Sequence, residues 1–194
     1  GRAGSALNIA MRSGSKENWS GLAGIGTSNA KLMLEGPIQK EKASLIIGGR
    51  VSNANWLLQQ ARDLDIKNSE LNFHDAYIGL NWNLAQGHDL EVNTLMTGDY
   101  FKFSDEFGYD WSNRVSSIKY KGILGEQLSL KALLANGEFS NTFFDPEGID
   151  AAQVENGMDY QQAKVTLVWA SDRFSISNGA ELVYYSGKSE QLSP

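Results

Sequence analysis

The sequence lacks the residue types on which most enzymes and disulfide scaffolds depend. It contains no cysteine and only two histidines, His74 and His88. The absence of cysteine excludes a disulfide framework and a thiolate metal site. Neither histidine has carboxylates at a metal-ligand spacing, and no Ser–His–acid set is recognisable. We therefore expect that the chain is not an enzyme and holds no resident cofactor.

Proline, long apolar runs and excess positive charge are also scarce. Three prolines against 20 glycines suit a chain with many tight turns. No apolar run approaches the roughly 20 residues of a transmembrane helix. The net charge of −6 argues against a nucleic-acid partner, which needs a basic face. A transmembrane β-barrel stays open as a class, because only alternate residues of its strands face lipid.

What the sequence does contain is period-two alternation of apolar and polar residues, which is typical of half-buried strands. From Ala76 to Leu84, the even-numbered residues are apolar, and the residues between them are Tyr, Gly and Asn. The same parity in later strands predicts that one face of the sheet carries Ile78, Leu80, Val92, Leu130, Val165, Leu167 and Ile176. It predicts that the opposite face carries Ser129, Lys164, Thr166, Ser177 and Glu181. The alternation predicts nine strands near residues 18–26, 30–36, 43–53, 71–84, 89–103, 109–123, 127–143, 160–170 and 174–186. Many reach a dozen residues, which at about 3.3 Å each and a tilt near 45° rise roughly 28 Å, close to the band of about 25 Å in a membrane barrel.

The connections and the aromatic residues agree with a membrane barrel. Short connections are predicted at 84–88, 124–126 and 171–173, and longer ones at 54–70 and 144–159, so that the long ones share one end of the sheet. Aromatic residues flank both ends of the strands, which predicts two girdles at lipid–water interfaces. Trp82, Tyr120, Trp169 and Phe174 lie beside the short turns; Phe101, Phe103, Tyr109, Trp111, Phe143, Tyr160, Tyr184 and Tyr185 lie toward the other ends.

The first fifty residues resemble a known family. Gly1 to Ile9 is followed by Trp19-Ser20-Gly21 and Gly24-Ile25-Gly26, then by Leu34-Glu35-Gly36-Pro37-Ile38 and by a strand ending near Gly49-Arg50. This order resembles the plug-to-barrel junction of TonB-dependent outer-membrane receptors, especially those of Bacteroidetes-type bacteria. In that family a glycine-rich strand, here Gly4 to Met11, closes the plug, and the first barrel strand follows.

The resemblance implies a fold, a location and partners. The expected fold is all-β, an antiparallel meander that forms part of a large transmembrane β-barrel of about 22 strands. Residues 1–15 would end the plug domain and link it to the barrel, and residues 16–194 would form the first nine or so barrel strands, so the chain is expected to be a fragment. The implied location is the cell outer membrane. Implied partners are outer-membrane lipid, a TonB energy-coupling complex acting through the N-terminal region, a small-molecule or oligomeric nutrient (metal chelate, vitamin, glycan or peptide) and a surface lipoprotein.

Two groups of residues are candidate sites. Asp145, Glu147 and Asp150 offer carboxylates for Ca²⁺ in an external loop. Calcium takes six or more oxygens, however, and a solvated acidic turn is the better explanation of these three residues. Trp56, Trp111 and Phe144 are candidates for substrate binding. Trp56 belongs to a short helix predicted at Asn55 to Arg62, where it either contacts a ligand or pins the loop to the barrel rim.

Two other function classes remain open from the sequence. A passive outer-membrane channel or assembly barrel would share the strands but lack a plug. A soluble all-β binding module would share the alternation but stay in aqueous buffer without detergent.

Overall fold

The structure is a computed structural model that describes residues 11–145 and 152–192. These residues form nine strands and two one-turn helices: β1 (Ser20–Ile25), β2 (Asn29–Gln39), β3 (Ala43–Ser52), α1 (Asn55–Leu58), α2 (Leu64–Lys67), β4 (Glu70–Ala85), β5 (His88–Phe103), β6 (Phe107–Ile123), β7 (Leu128–Asp145), β8 (Ala152–Ala170) and β9 (Ser175–Leu192). The predicted all-β class is confirmed. Neither helix in the described part is long and apolar enough to cross a membrane.

The strands form one antiparallel sheet in chain order, β1 to β9. Each strand pairs with its neighbours in the sequence, which confirms the predicted meander. Within the described residues, β1 and β9 each pair on one side only, and the sheet is not closed. Barrel size and closure therefore stay predictions.

Two predicted boundaries are wrong at the C-terminal end of the chain. The eighth strand begins at Ala152 instead of residue 160, and the ninth ends at Leu192 instead of residue 186. The long connection predicted at 144–159 is therefore mostly strand, because Phe144 pairs with Gln153 and Glu138 pairs with Asp159. This stretch contains Glu155, Asn156 and Gly157, whose polar and flexible character resembled a loop.

The connections lie at two opposite ends of the sheet. We call one the turn end; its connections are residues 40–42, 86–87, 124–127 and 171–174. The other is the loop end, with residues 26–28, 53–69 and 104–106; β7 also ends there and β8 begins there. Residues 53–69, which contain both helices, confirm the first predicted long connection, and the expected helix from Asn55 to Arg62 is one turn that ends at Leu58.

The strand registers assign the alternating side chains to two faces. In one row, Leu45, Leu80, Val92, Ile118, Leu134, Ala163 and Leu182 are aligned. We call this the aliphatic face, and the predicted set on it is confirmed: Ile78, Leu80, Val92, Leu130, Val165, Leu167 and Ile176. The opposite side, the ion-pair face, carries the predicted polar set of Ser129, Lys164, Thr166, Ser177 and Glu181.

The sheet is a single layer with almost no apolar core. Among the described residues, the buried hydrophobic ones are Ala43, Ile46 and Ala54. Large apolar side chains of the aliphatic face stand in the open, such as Leu134 at 58% and Leu182 at 73% exposure. A water-soluble domain normally buries such residues against a second layer, and the described chain provides none.

Aromatic rings cover several glycines of the sheet. A Cβ at Gly36 would lie 2.2 Å from the Trp19 ring, and one at Gly98 would lie 2.4 Å from the His74 ring. His74 and Gly98 are direct cross-strand partners, as are Phe144 and Gly108, where a Cβ would lie 2.2 Å from the Phe144 ring. The glycines therefore provide seats in which rings lie flat on the backbone of the sheet.

An N-terminal arm, residues 11–19, crosses the ion-pair face of β2, β3 and β4. Arg12 Nη1 lies 2.8 Å from Glu35 Oε2, and Lys16 Nζ donates to Asn83 Oδ1. Gly14 rests on the backbone of β3, where a Cβ would lie 2.5 Å from the Leu45 carbonyl oxygen. Of the expected plug-closing strand Gly4 to Met11, only Met11 is among the described residues, and it is not in a strand.

We expect Gly14→Ala to lift the arm from β3, because its Cβ collides with backbone that cannot move aside. Overpacking of this kind costs about 1–3 kcal/mol. Gly187→Ala is the matched control, since nothing lies within 4 Å of a Cβ there. Hydrogen exchange in detergent should show faster exchange at residues 12–19 in Gly14→Ala only. Equal exchange in the two variants would contradict the seating of the arm.

Candidate functional site

The turn-end half of the ion-pair face carries two parallel hydrogen-bond networks. In the first, Tyr77 OH donates to Asn93 Oδ1 at 2.6 Å, Asn93 donates to Glu91, and Lys119 Nζ lies 3.0 Å from Glu91 Oε1. In the second, Tyr160 OH donates to Gln162 Oε1 at 2.5 Å. Gln162 in turn donates to Glu181, whose Oε2 lies 3.1 Å from Lys164 Nζ.

These networks follow from the register. Glu91 is paired with Lys119, and Lys164 with Glu181, so each carboxylate faces an ammonium group on the next strand. Opposite charges in such positions attract by about 0.2–1 kcal/mol relative to alanine. All four side chains are partly exposed, so the pairs act mainly to keep this half of the face polar and hydrated.

Toward the loop end the same face becomes aromatic. Tyr109 and Phe143 have ring centroids 5.1 Å apart, and the Trp111 and Phe139 rings stand edge to face at 6.1 Å. We call the rings of β5 to β9 on this part of the face the aromatic surface: Phe101, Phe103, Phe107, Tyr109, Trp111, Phe139, Phe143, Tyr160 and Tyr185. It is continuous with the second network through Tyr160, whose ring centroid lies 5.2 Å from that of Tyr185 with the two ring planes tilted by 50°.

The aromatic surface corrects the prediction of two girdles. The first predicted row is supported, because Trp82, Tyr120 and Trp169 lie on the aliphatic face at the turn end, with Phe174 at 5.3 Å from Trp169. The second is wrong in its face: of the eight aromatic residues named for it, only Tyr184 lies on the aliphatic face. In β5 to β9 the apolar side chains thus change from one face to the other between the turn-end half and the loop-end half of the strands.

The aliphatic face shows the complementary change. Beyond Leu134 and Ile118 toward the loop end, its residues include Arg114, Glu138 and Asp159, which are aligned with one another. Each face is thus divided at about the same height. Aliphatic side chains back the ion pairs in the turn-end half, and charged side chains back the aromatic rings in the loop-end half.

The three predicted substrate-binding residues do not come together. Trp111 belongs to the aromatic surface, but Phe144 lies on the other face, where it stacks on Tyr100 at 5.9 Å and covers Gly108. Trp56 lies in the 53–69 connection, and its Nε1–H donates to the Thr27 carbonyl at 3.1 Å. This bond favours the interpretation that Trp56 pins the loop to the rim.

Of the three predicted calcium ligands, only Asp145 is among the described residues. Asp145 is the last residue of β7 and not part of a loop. Glu147 and Asp150 lie outside the described residues. Within residues 11–145 and 152–192 there is no group of three or more His, Asp or Glu side chains that could hold a metal ion.

Position along the strands alone predicts a girdle for most of the aromatic surface, whereas the parity of the residue numbers indicates the ion-pair face. Phe101 and Phe103 have the odd numbering of Glu91, and Leu90, Val92 and Met96 of the aliphatic face are even-numbered. The face of the aromatic residues can therefore be predicted from the sequence, if the parity of the residue numbers is followed along the whole length of one strand.

Comparison with known protein families, with curated proteins and with solved structures gave no match to this chain.

We expect the cross-strand ion pairs to behave as reciprocal partners. Lys164→Glu places two carboxylates opposite each other, and Glu181→Lys places two ammonium groups opposite each other. Each single variant should destabilise the chain in detergent by about 0.5–1 kcal/mol at low salt. The double variant Lys164→Glu/Glu181→Lys restores the pair with its polarity reversed and should recover most of the loss in chemical denaturation. If the double variant shows only the sum of the two single losses, the two side chains do not interact.

Proposed function

We propose that the chain forms part of the barrel wall of a TonB-dependent outer-membrane receptor, which imports a scarce nutrient with energy supplied from the inner membrane. The observation that carries this proposal is the exposed aliphatic face on strands of 16 to 19 residues, β4 to β9, backed by ion pairs. The resemblance of the first fifty residues supports the family. In this proposal the aliphatic face meets lipid, the ion-pair face lines the lumen, and the wall itself performs no covalent chemistry.

The exposed side chains suit a lipid environment. Removing apolar surface from water is favourable by about 25 cal/mol for every Å² of accessible area. Contiguous exposed apolar patches of this kind are therefore rare on soluble monomers. Lipid covers such a face without a second protein layer. The row of Trp82, Tyr120 and Trp169 would lie at the turn-end interface of the membrane, where aromatic rings are favoured.

The outer boundary of the aliphatic band runs obliquely across the central strands. Its outermost non-aromatic apolar residue is Val51 on β3, Met96 on β5 and Leu134 on β7; in register these stand level with Gly98, Met96 and Val92 of β5. From 98 to 92 is six residues, or about 20 Å, over four strand spacings totalling about 19 Å. From β3 to β7 the boundary therefore slopes by about 45°, which agrees with the strand tilt of a membrane barrel. It is level from β1 to β3, at Ile25, Ala30 and Val51, and from β6 to β9, at Ile118, Leu134, Ala163 and Leu182.

The N-terminal arm favours a receptor over an open channel. It lies on the ion-pair face, with Arg12 bonded to Glu35 and Lys16 to Asn83. Glu35 is only 8% exposed, so the arm seals this part of the face from solvent. An open pore would leave that face to water, whereas a receptor fills its lumen with polypeptide.

Expression of residues 1–194 alone tests the membrane assignment. We expect the chain to associate or precipitate in plain buffer, because its aliphatic face and two strand edges are uncovered, and to become soluble in detergent. Molar mass by light scattering and an unfolding curve are the measurements. A monodisperse monomer with one cooperative transition in plain buffer would favour a soluble all-β module instead.

Substitution on the two faces tests their orientation. In the full receptor Leu167→Arg should lower the free energy of unfolding by about 2–4 kcal/mol, because it places a charge in lipid near mid-membrane. Thr166→Arg is the matched control, since the adjacent residue faces the lumen and should cost little. Unfolding in lipid bilayers measures both, and equal effects would contradict the assignment of the faces.

A further inference from the structure

We propose that the aromatic surface binds a neutral carbohydrate chain. The inference names the nutrient class of the proposed importer and rests on that function for its biological setting, although the binding itself is testable on the chain alone. It is carried by three properties of the loop-end half of the ion-pair face: its rings, its amides and its charges.

The rings form an extended platform instead of a closed pocket. The ring centroids of Tyr109 and Phe143 are 5.1 Å apart. Trp111 and Phe139, which stand edge to face, belong to the next two cross-strand pairs of the same face. Most of these rings are half-buried, and Tyr109 is 43% exposed. A platform of this shape offers apolar ring faces to a flat, extended ligand with apolar C–H faces.

Amide groups lie between the rings. Asn141 is the cross-strand partner of Trp111, and Asn113 that of Phe139. Asn156, next to Asn141, accepts a hydrogen bond from Ser189 Oγ at 2.9 Å. A side-chain amide both donates and accepts, as a sugar hydroxyl does. Pyranose rings present C–H faces to aromatic rings and hydroxyls at their edges, which is the pattern of groups found here.

The charges argue against anionic ligands. On β5 to β8, from the level of Thr97 to the loop end, the described residues of this face include Asp99 and Asp145 but neither Lys nor Arg. Anionic chelates and uronic-acid polymers would meet Asp99, and these described residues offer no Lys or Arg as a counter-charge. The ligand class that uses both rings and amides, and needs no counter-charge, is a neutral oligosaccharide.

Binding is tested on the 194-residue chain in a non-sugar detergent by calorimetry. The probes are four neutral hexasaccharides (maltohexaose, cellohexaose, xylohexaose and chitohexaose), with hexagalacturonate, a ferric tris-catecholate and spermidine as charged ligands. We expect at least one neutral hexasaccharide to bind and the two anionic ligands not to bind. Binding of a charged ligand alone, or of none, would overturn the proposal.

Substitutions locate the binding. Trp111→Ala should weaken it by about tenfold or more, as loss of a central aromatic anchor does, while Trp111→Phe and Asn141→Ala should weaken it less. Trp82→Ala is the matched control, because that ring is 42% exposed but lies on the aliphatic face, and it should leave binding within twofold. Circular dichroism confirms that each variant keeps its sheet. Equal binding by Trp111→Ala and Trp82→Ala would overturn the location.

The result is independent of the membrane test. If the chain binds a neutral sugar but is a monomer in plain buffer, the carbohydrate site is supported and the proposed importer is contradicted. If the chain needs detergent but binds none of the neutral sugars, the importer is supported and the carbohydrate site is contradicted.

Discussion

The structure depends on cross-strand hydrogen bonding in a sheet that has nothing packed on either side of most of its area. In ordinary domains a hydrophobic core selects the fold, and the sheet is one of two or more layers. Here Ala43, Ile46 and Ala54 are the buried hydrophobic residues of the described chain. The two faces of the sheet must therefore be covered by something outside the described chain. The aliphatic face favours an apolar environment, whereas the ion pairs of the other face favour a polar one.

The strands are longer than the apolar band that they carry, and the division of each face into halves accounts for the difference. A strand of 16 residues extends about 53 Å, whereas a band of about 25 Å crossed at 45° needs about 35 Å. The surplus lies at the loop end, where Arg114, Glu138 and Asp159 replace aliphatic side chains on one face. The rings on the other face are thereby placed beyond the band and open to whatever approaches from that side.

Much of the fold could be predicted from the sequence, because period-two alternation identifies a strand and its two faces without knowledge of its neighbours. Leu167 and Thr166 were assigned to opposite faces correctly on that basis. The start of β8 could not be predicted, since Glu155, Asn156 and Gly157 lie where both faces are polar and the alternation vanishes. The aromatic surface was missed because Trp111 and Phe143 were grouped by height along the strand and not by parity. No local pattern indicates that Trp56 reaches Thr27.

A sheet without a core faces a problem of alignment that its polarity pattern alone does not solve. Sliding one strand past another by two residues keeps every side chain on its face, so the polarity of the two faces would not penalise the error. The rings seated on glycines do. A slip of β4 by two residues would move His74 from Gly98 onto Met96 or Tyr100, and a slip of β7 would move Phe144 off Gly108. At each of these glycines a Cβ would collide with the aromatic ring, so the ring fits there only because the residue is glycine. These pairs therefore favour a single register between adjacent strands as the sheet assembles.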